Sequence, residues 1–421
     1  MTGAELDSLR LEMPFTGQEF TLWTSATLTD DFLAPCQKLT LEVAADETRF
    51  AYTTGIRKGD AFTFYVNDAP QCSGYVDEVE ISDDGHSGTK VTIQARDGLS
   101  RLVDGNVDER MPVTDKMTLA DLLDLLFLKQ FSYPDWTIFE DNGKGRDLAV
   151  SKAVKARVTK RRKSVKDPLK DVRPHPNEGG YAYLTRICHR MGLHPRVMPN
   201  GVGVIIAAPE YDQDPAYTFV NLRGSAGKAN NILRARARSS STGVPSHVWV
   251  RGKGSEAGPK AKYLGFYDNS ANSPIFKPFY HKDDQATSKE QCDAVAAYIV
   301  GKAMREAFAY EISVRGFSDP QSGRVYNVDT IANVRDEQAG IDGKMWVESR
   351  TFRKSRAGTT TDLKLLPANA LILDYLVSDS APIPEPSYPK AAAKVDPKTV
   401  PTAEQQHASA WGSYTKDLKD K

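Results

Sequence analysis

The segment Tyr326–Pro367, YNVDTIANVRDEQAGIDGKMWVESRTFRKSRAGTTTDLKLLP, decides how the chain is interpreted. Its short runs of β-branched and aromatic residues are separated by polar, glycine-containing breaks. This pattern predicts a strand, a loop, a strand, a turn and a further strand. No residue set in it has the pattern of a nucleophile, a metal site or a nucleotide-binding loop. The segment therefore indicates an assembly surface rather than a catalytic site.

A similar pattern occurs near the start of the chain, in Lys58–Gly98, KGDAFTFYVNDAPQCSGYVDEVEISDDGHSGTKVTIQARDG. Gly74 and Gly88 are 14 residues apart, and Gly343 and Gly358, the glycines we align with them, are 15 apart. Sequence identity between the two segments is low, so two unrelated meanders stay an alternative. If the repeat is real, the chain carries two similar β-barrels, one near each end.

Alternation of apolar and polar residues predicts β structure over residues 17–99. In AFTFYV, Phe62, Phe64 and Val66 fall on one face of the strand. The strand that follows carries the carboxylates Asp77, Glu78 and Glu80. Strict alternation places residues 77 and 78 on opposite sides, so we interpret these carboxylates as solvated rather than as a hydrolase pair.

Helical patterns occur in the middle and in the last third of the chain. One helix is predicted within Met117–Phe131, with Thr118 as its N-cap and Asp121 completing a capping box. A second is predicted over residues 180–192, and a hairpin of two strands turning at Asn200-Gly201 follows it. The clearest helix is predicted over residues 288–311, with a buried stripe of Cys292, Val295, Ala296, Ile299 and Ala303.

These patterns predict an α+β fold, in which two similar antiparallel β-barrel domains flank a mixed α/β middle and precede a disordered or extended C-terminal tail. The predicted regions are 1–110 for the N-terminal barrel, 111–230 for the α/β middle with a basic linker at 152–173, 231–376 for the second barrel with an insertion at 252–286 and the helix 288–311, and 377–421 for the Pro-rich tail.

Composition excludes several classes of protein. The chain has 421 residues, with 55 Lys and Arg against 55 Asp and Glu, so its formal net charge is zero. A dedicated nucleic-acid binder would need a net basic surface. No apolar stretch is long enough to span a membrane, and the N-terminus lacks the pattern of a secretory signal. We therefore predict no stable membrane insertion.

The cysteines indicate neither a metal site nor a redox pair. Cys36, Cys72, Cys188 and Cys292 are all more than thirty residues apart. We expect reduced thiols, as in proteins made in a cytoplasm. A bond between Cys36 and Cys72 stays open, because both fall in the same predicted domain. No cofactor, no metal and no catalytic residue is predicted.

Two groups of residues are candidates for contact with partners. The run 152–173 is the one strongly basic stretch, and it is interpreted either as a solvated loop or as a contact for acidic partners or passing nucleic acid. Its most basic part is Lys160, Arg161, Arg162 and Lys163. The aromatic candidates for a partner interface are Phe276, Phe279, Tyr280, Trp411 and Tyr414.

A duplicated barrel has a physical use in a ring. Three chains around a threefold axis, each with two similar barrels, present six similar surfaces. Such an object can connect a sixfold tube to a threefold spike.

The chain up to about residue 376 resembles the baseplate hub proteins of Mu-like contractile-tailed bacteriophages, a phage tail or late control protein family. The resemblance is carried by IRKGDAFTFYVNDAPQCSGYVDEVE from Ile56, by EGGYAYLTRICHRMGLHPRVMPNGVGVII from Glu178, by HVWVRGKG from His247, by the helix 288–311, and by the strands after Arg315. It is weakest over 152–173 and 252–286, and it does not include the tail from Ala381.

This resemblance implies a structural protein without catalysis. It implies a homotrimeric ring that contacts the tail tube protein ring on one side and the trimer of the cell-puncturing spike on the other, with tape measure and baseplate wedge proteins as further possible partners and DNA only in passage. The location it implies is the tail baseplate of the virion, after assembly in the host cytoplasm.

Two other readings stay open. A glycan-binding or cell-wall-degrading tail component is suggested by the acidic strand at Asp77–Glu80 and by the aromatic stretch Phe276–Tyr280. A related injection machine encoded by a bacterium rather than a phage would have the same sequence pattern.

Overall fold

In the computed structural model, the chain forms two compact units, Met1–Ser240 with Met304–Leu376, and Ser241–Ala303 with Val377–Lys421. The structure describes residues 7–21, 23–43, 55–84, 88–114, 116–131, 136–138, 172–189, 193–197, 204–207, 214–224, 230–253, 263–284, 286 and 288–368. The predicted domain boundaries stay predictions.

The first unit consists mainly of strands. They are β1 (Leu9–Met13), β2 (Gln18–Phe20), β3 (Ser25–Asp31), β4 (Lys38–Val43), β5 (Ala61–Val66), β6 (Ala69–Asp84), β7 (Gly88–Asp97), β8 (Trp136–Ile138), β9 (His194–Val197), β10 (Val204–Ala207), β11 (Tyr217–Asn221) and β12 (Ile232–Ser239). After the second unit, with β13 (His247–Arg251), β14 (Leu264–Asp268) and β15 (Pro278–Lys282), the first unit resumes with β16 (Phe308–Arg315), β17 (Ile331–Asp336), β18 (Ile341–Ser355) and β19 (Gly358–Pro367). The helices are α1 (Ser100–Asp104), α2 (Leu119–Leu123), which continues as a π-helix (Asp124–Gln130), α3 (Gly180–His189) and α4 (Lys289–Ala307).

The predicted alternation is confirmed in the N-terminal strands. Phe62, Phe64 and Val66 of β5 are buried while the residues between them are partly exposed. Val91 and Ile93 of β7 are buried in the same way. One apolar face of each strand thus joins the main core.

Most strands of the first unit belong to one large, mainly antiparallel sheet. Its order is β12-β16-β19-β18-β3-β4-β7-β6-β5-β1-β2, and β17 pairs with β18 and carries β11 on its other side. The antiparallel β structure predicted for both ends of the chain is therefore confirmed. The two ends meet where β3 pairs with β18.

The two halves of this sheet repeat the same strand order. The first half-sheet runs β3-β4-β7-β6-β5-β1, and the second runs β12-β16-β19-β18-β17-β11. The β6–β7 pairing runs from Gly74–Asp97 to Asp84–Gly88, with Asp77 as a bulge after the third pair, Val76–Ala95. The β18–β19 pairing runs from Met345–Pro367 to Ser355–Gly358, with Glu348 as the bulge after the third pair, Val347–Leu365.

This register corrects the sequence alignment of the repeat. Gly88 and Gly358 occupy equivalent places, as aligned. Gly74 pairs with Phe62 of β5, and the residue of β18 in that place is Met345, which pairs with Ala332 of β17. Gly343 lies two residues away, so aligning it with Gly74 is wrong.

The halves differ at their outer strands, because β1 is antiparallel to β5 whereas β11 is parallel to β17. That each half closes into a barrel stays a prediction.

The middle of the chain has a separate small core. The predicted capping box of α2 is confirmed, since the Thr118 hydroxyl accepts from the Asp121 backbone and the Asp121 carboxylate accepts from the Thr118 backbone. The predicted hairpin is present as antiparallel β9 and β10, with β8 parallel to β10; its turn lies outside the described residues. α3 is present, and its predicted end at Gly192 lies outside them too. The core side chains include Leu102, Leu122, Leu126, Phe127, Tyr183, Leu184 and Ile187.

The prediction of a helix to residue 311 is wrong at its end. α4 ends at Ala307, and Phe308 begins β16, which pairs with both β12 and β19. Pairing on both sides overrides local helix preference there. Cys292 and Ala296 are buried as predicted, but Val300 rather than Val295, Ile299 or Ala303 completes the buried stripe.

The second unit is a three-stranded sheet, ordered β14-β13-β15, that packs on α4. Gly265 on β14 allows this approach, because a Cβ there would overlap the backbone of Cys292. The Asp293 carboxylate accepts from the Phe266 backbone at 2.9 Å and pairs with Lys289 at 2.8 Å.

Candidate assembly surfaces

The pairing of β3 with residues 349–354 of β18, here called the seam, joins the two half-sheets. It is antiparallel and runs from Ser349–Asp31 to Lys354–Ala26. Phe352 lies opposite Leu28, and both are buried in the core, 2% and 1% exposed. On the other face, the hydroxyls of Thr29 and Thr351 are 3.3 Å apart.

A buried charge cluster lies on the seam. The guanidinium of Arg350 donates to the Gln71 side chain at 2.6 Å, to the Tyr326 carbonyl at 2.5 Å and to the Asn327 side chain at 2.7 Å. It also lies over the Phe352 ring, 4.6 Å from its centre. Burial lowers the pKa of Arg350 from its usual value. A single buried cation thus connects β3, β6, β18 and the loop before β17.

The same cluster reaches the small middle core. The Asp30 carboxylate contacts Arg350 at 3.4 Å and Arg196 of β9 at 3.1 Å. Nearby, the buried Asp97 carboxylate accepts backbone bonds from Gln37 at 2.8 Å and Leu99 at 3.0 Å. Burial raises the pKa of Asp97 to about 7, against the lowering effect of those two bonds.

The acidic strand is β6, and its side chains do not point as predicted. Because Asp77 is a bulge, Asp77 and Glu78 both contact residues on one face of β7: Asp77 pairs with Arg96 at 2.6 Å, and Glu78 accepts from Gln94 at 3.0 Å. Placing residues 77 and 78 on opposite sides is therefore wrong.

These contacts do not resemble a hydrolase site. Arg96 holds Asp104 as well as Asp77, and its hydrogen bond lowers the pKa of Asp104, whereas a general acid needs a raised pKa. An adjacent open cavity of about 400 Å³ includes Asp77 and Asp104 in its lining. Both carboxylates that line it are thus paired with a cation.

β12 carries a row of arginines that the sequence analysis missed. Arg234, Arg236 and Arg238 alternate with alanines and are exposed. Arg236 contacts Glu311 at 3.7 Å, and Arg238 donates to the Glu306 carbonyl at 3.0 Å. The repeat Arg-Ala-Arg-Ala-Arg is visible in the sequence as a strand with one charged face, and that alternation was the available signal.

The aromatic candidates Phe276, Phe279 and Tyr280 lie in the second unit. Tyr280 stacks on Trp249, with ring centres 5.0 Å apart, and is itself exposed. Phe276 contacts His247, and Phe279 lies beside Val248 on the opposite sheet face. All five residues of β15 are exposed, so apolar rings project from both faces of this edge strand.

Other candidate residues lie outside the described part of the chain: Trp411, Tyr414, Lys160, Arg161, Arg162 and Lys163. All four cysteines are buried free thiols, so Cys36 and Cys72 are not bonded to each other. Among the described residues, no group of three or more His, Cys, Asp or Glu side chains is placed to hold a metal. The same residues contain no helix both long and apolar enough to cross a membrane.

Comparison with known proteins bears on the half-sheet formed by β1–β7. Residues 10–97 match the family described as Mu phage baseplate assembly protein GpP-like, N-terminal. Over these residues the chain is similar to the N-terminal domain of Mu phage GpP-like baseplate assembly proteins. The resemblance to Mu-like baseplate proteins found in the sequence is thereby confirmed, with residues 10–97 as the part that the family model matches.

Solved structures share the fold over most of the chain. A 43 kDa tail protein of prophage MuSo2 from Shewanella oneidensis matches with a TM-score of 0.70 and 20% identity, covering 86% of this chain and 99% of its own. The tail protein from Neisseria meningitidis MC58 matches with a TM-score of 0.70 and 17% identity, covering 88% and 99%. Prophage tail protein gp18 from Listeria monocytogenes EGD-e matches with 0.50 and 11%, covering 86% and 95%. No curated protein matches by sequence.

Proposed function

We propose that this GpP-like protein is the structural hub of a contractile tail baseplate, a homotrimeric ring between the sixfold tail tube and the threefold spike. The supporting observation is the repeat of one strand order and one β-pairing register in the two half-sheets of a single chain. Three such chains offer six similar half-sheets to the tube while keeping threefold symmetry for the spike.

The proposed partners are a second and third copy of the chain, the spike trimer and the tail tube ring. The chain would be made in the host cytoplasm and assembled into the virion. Residues 152–173, with Lys160–Lys163, are proposed to line or rim the channel through which DNA passes. Trp411 and Tyr414 are proposed to anchor the C-terminal tail on a partner.

The test is the mass of the purified full chain by light scattering, alone and mixed with the spike protein encoded beside it. A mass of three chains, or a complex of three chains with three spike chains, supports the hub. A chain that stays monomeric and ignores the spike overturns it. In a cryo-EM map of the assembled baseplate, residues 152–173 on the outer surface would refute their channel position.

A further inference from the structure

The long middle strands of the two half-sheets use their edges differently. On one edge, β18 pairs with β17 through Ile341–Trp346 and then with β3 through Ser349–Lys354. The same edge of β6 pairs with β5 only through Ala69–Tyr75. The rest of it, residues 78–83, pairs with no strand in the described part of the chain. Among the described strands, β6 therefore lacks the second partner that β18 has on this edge, which is β3 in the seam.

The strand equivalent to β3 in the second half-sheet is β12. Leu28 of β3 lies opposite Leu39, which lies opposite Ala95. In the other half-sheet, Ala237 of β12 lies opposite Tyr310, which lies opposite Leu365. Ala95 and Leu365 both pair with the residue just before the bulge, so Leu28 and Ala237 occupy equivalent places. β3 is covered by β18, whereas the outer edge of β12 has no partner among the described strands. Among the described strands, the second half-sheet thus has an unpaired edge strand, β12. The first half-sheet has an unpaired strand edge, residues 78–83 of β6, in the place where β18 pairs with β3.

The two free edges are complementary in charge. β12 presents Arg234, Arg236 and Arg238, and Arg236 has 72% of its side chain exposed. The free stretch of β6 presents Glu78 and Glu80, both exposed. A long exposed edge strand is a template for pairing, so its charges select what can pair with it.

An apolar residue also marks the free stretch of β6. Ile81 is 48% exposed, although it occupies the place that buried Phe352 holds in the seam. Its exposure in the single chain is accounted for if a strand covers it in the assembly, as β3 covers Phe352.

We propose that β12 of one copy pairs, antiparallel, with residues 78–83 of β6 in the next copy, repeating the seam between chains. Transferring the seam register places Glu80 opposite Arg238, Ile81 opposite Ala237 and Ser82 opposite Arg236. Because the two surfaces differ, the contact is heterologous, and rotation closes it into a ring. This inference rests on the proposed trimer and names its contact: three seams within chains and three like them between chains.

Disulfide trapping tests the register directly. In the full chain, Ile81→Cys with Ala237→Cys brings two exposed positions to about 4.5–5.5 Å between Cα atoms, within disulfide range. Oxidation is expected to give covalent species of two and three chains on a non-reducing gel. The matched control is Ile81→Cys with Arg236→Cys, whose side chains fall on opposite faces of the shared sheet and are expected to stay uncrosslinked.

Exchange of one charge pair tests the same contact without covalent chemistry. Arg238→Glu or Glu80→Arg alone is expected to raise the concentration at which the ring half-dissociates by about tenfold, because each puts like charges opposite each other in every interchain seam. Arg238→Glu with Glu80→Arg in one chain should restore it to within about threefold, since the pair is attractive again. The control Arg110→Glu changes an exposed arginine that lies in neither β6 nor β12, and it should have no such effect.

The outcomes separate this contact from the ring itself. If the wild-type chain forms the trimer but the Ile81→Cys, Ala237→Cys variant does not crosslink and the charge variants do not change dissociation, the contact is overturned and the hub stands. A chain that forms no ring, alone or with spike, overturns both. Trapping in register, with rescue by the double exchange, supports the contact.

Discussion

Arg350 and Asp30 are partners twice over: their backbones are opposite each other in the β18–β3 pairing, and their side chains meet at 3.4 Å in the buried core. Asp30 also holds Arg196, so one carboxylate neutralises two cations from different parts of the first unit. The contact that joins the half-sheets is therefore electrostatic as well as apolar.

Asp30→Asn is expected to destabilise the protein by about 3–5 kcal/mol, because it leaves a buried guanidinium without its counter-charge. Denaturant unfolding of the purified chain measures this. The control Glu19→Gln removes an exposed partner of Arg10 and should cost less than about 1 kcal/mol. Equal shifts in the two variants would contradict a structural role for the Asp30 cluster.

Asp97 should make stability depend on pH. Its folded pKa of about 7 lies above the usual value near 4, so the protonated form favours the fold. The stability from this site is complete below about pH 4 and is lost as the pH rises through about 7, by a few kcal/mol.

Asp97→Asn should flatten that dependence, because the amide does not ionise. It should also lower stability by about 1–3 kcal/mol at low pH, since it accepts only one of the two backbone bonds from Gln37 and Leu99. Urea unfolding of both proteins from pH 4.5 to 8 measures the difference. Parallel curves over this range would rule out Asp97 as the titrating group.

Gly74→Ala should destabilise the first half-sheet by at least about 1–3 kcal/mol, because a methyl group there would overlap the Arg96 carbonyl oxygen and the Asp97 backbone. Gly179→Ala is the matched control, since no atom lies within 4 Å of its added Cβ. Thermal unfolding of both variants measures the difference in stability between them. A near-neutral Gly74→Ala would mean that β6 and β7 can separate at no cost.

The sequence pattern correctly predicted those features that depend on neighbouring residues alone. The buried faces of β5 and β7 and the capping box of α2 follow from alternation and from one hydroxyl–carboxylate pair. The bulge at Asp77 could not be predicted, because no turn residue marks it and it reverses the alternation after it. The misalignment of Gly74 has a different cause, because the bulge recurs at Glu348: the sequence alignment matched glycine to glycine, whereas the paired position in β18 is Met345.

Long-range contacts were beyond sequence reasoning. An arginine in a strand is expected to be exposed. Arg350 is buried because its partners come from β3, from β6 and from the loop before β17. α4 ends at Ala307 rather than at residue 311 for a related reason: β16 finds strand partners on both sides, and one of them, β19, is about fifty residues further along the chain.

The exposed rings of β15 should matter for assembly and not for folding. Phe279→Ser removes a ring that is 44% exposed, so the free energy of unfolding should change by less than about 1 kcal/mol. If β15 contacts a partner, loss of this ring should lower incorporation of the chain into purified tails by about tenfold, as for a residue at the centre of an interface.

The amount of the protein per tail, measured by quantitative gel or mass spectrometry, provides the test. Phe15→Ser in the β1–β2 turn is the control, because Phe15 is an equally apolar and more exposed ring on the first unit. Equal loss in both variants would show sensitivity to any exposed phenylalanine, and normal incorporation of Phe279→Ser would remove β15 from the interface.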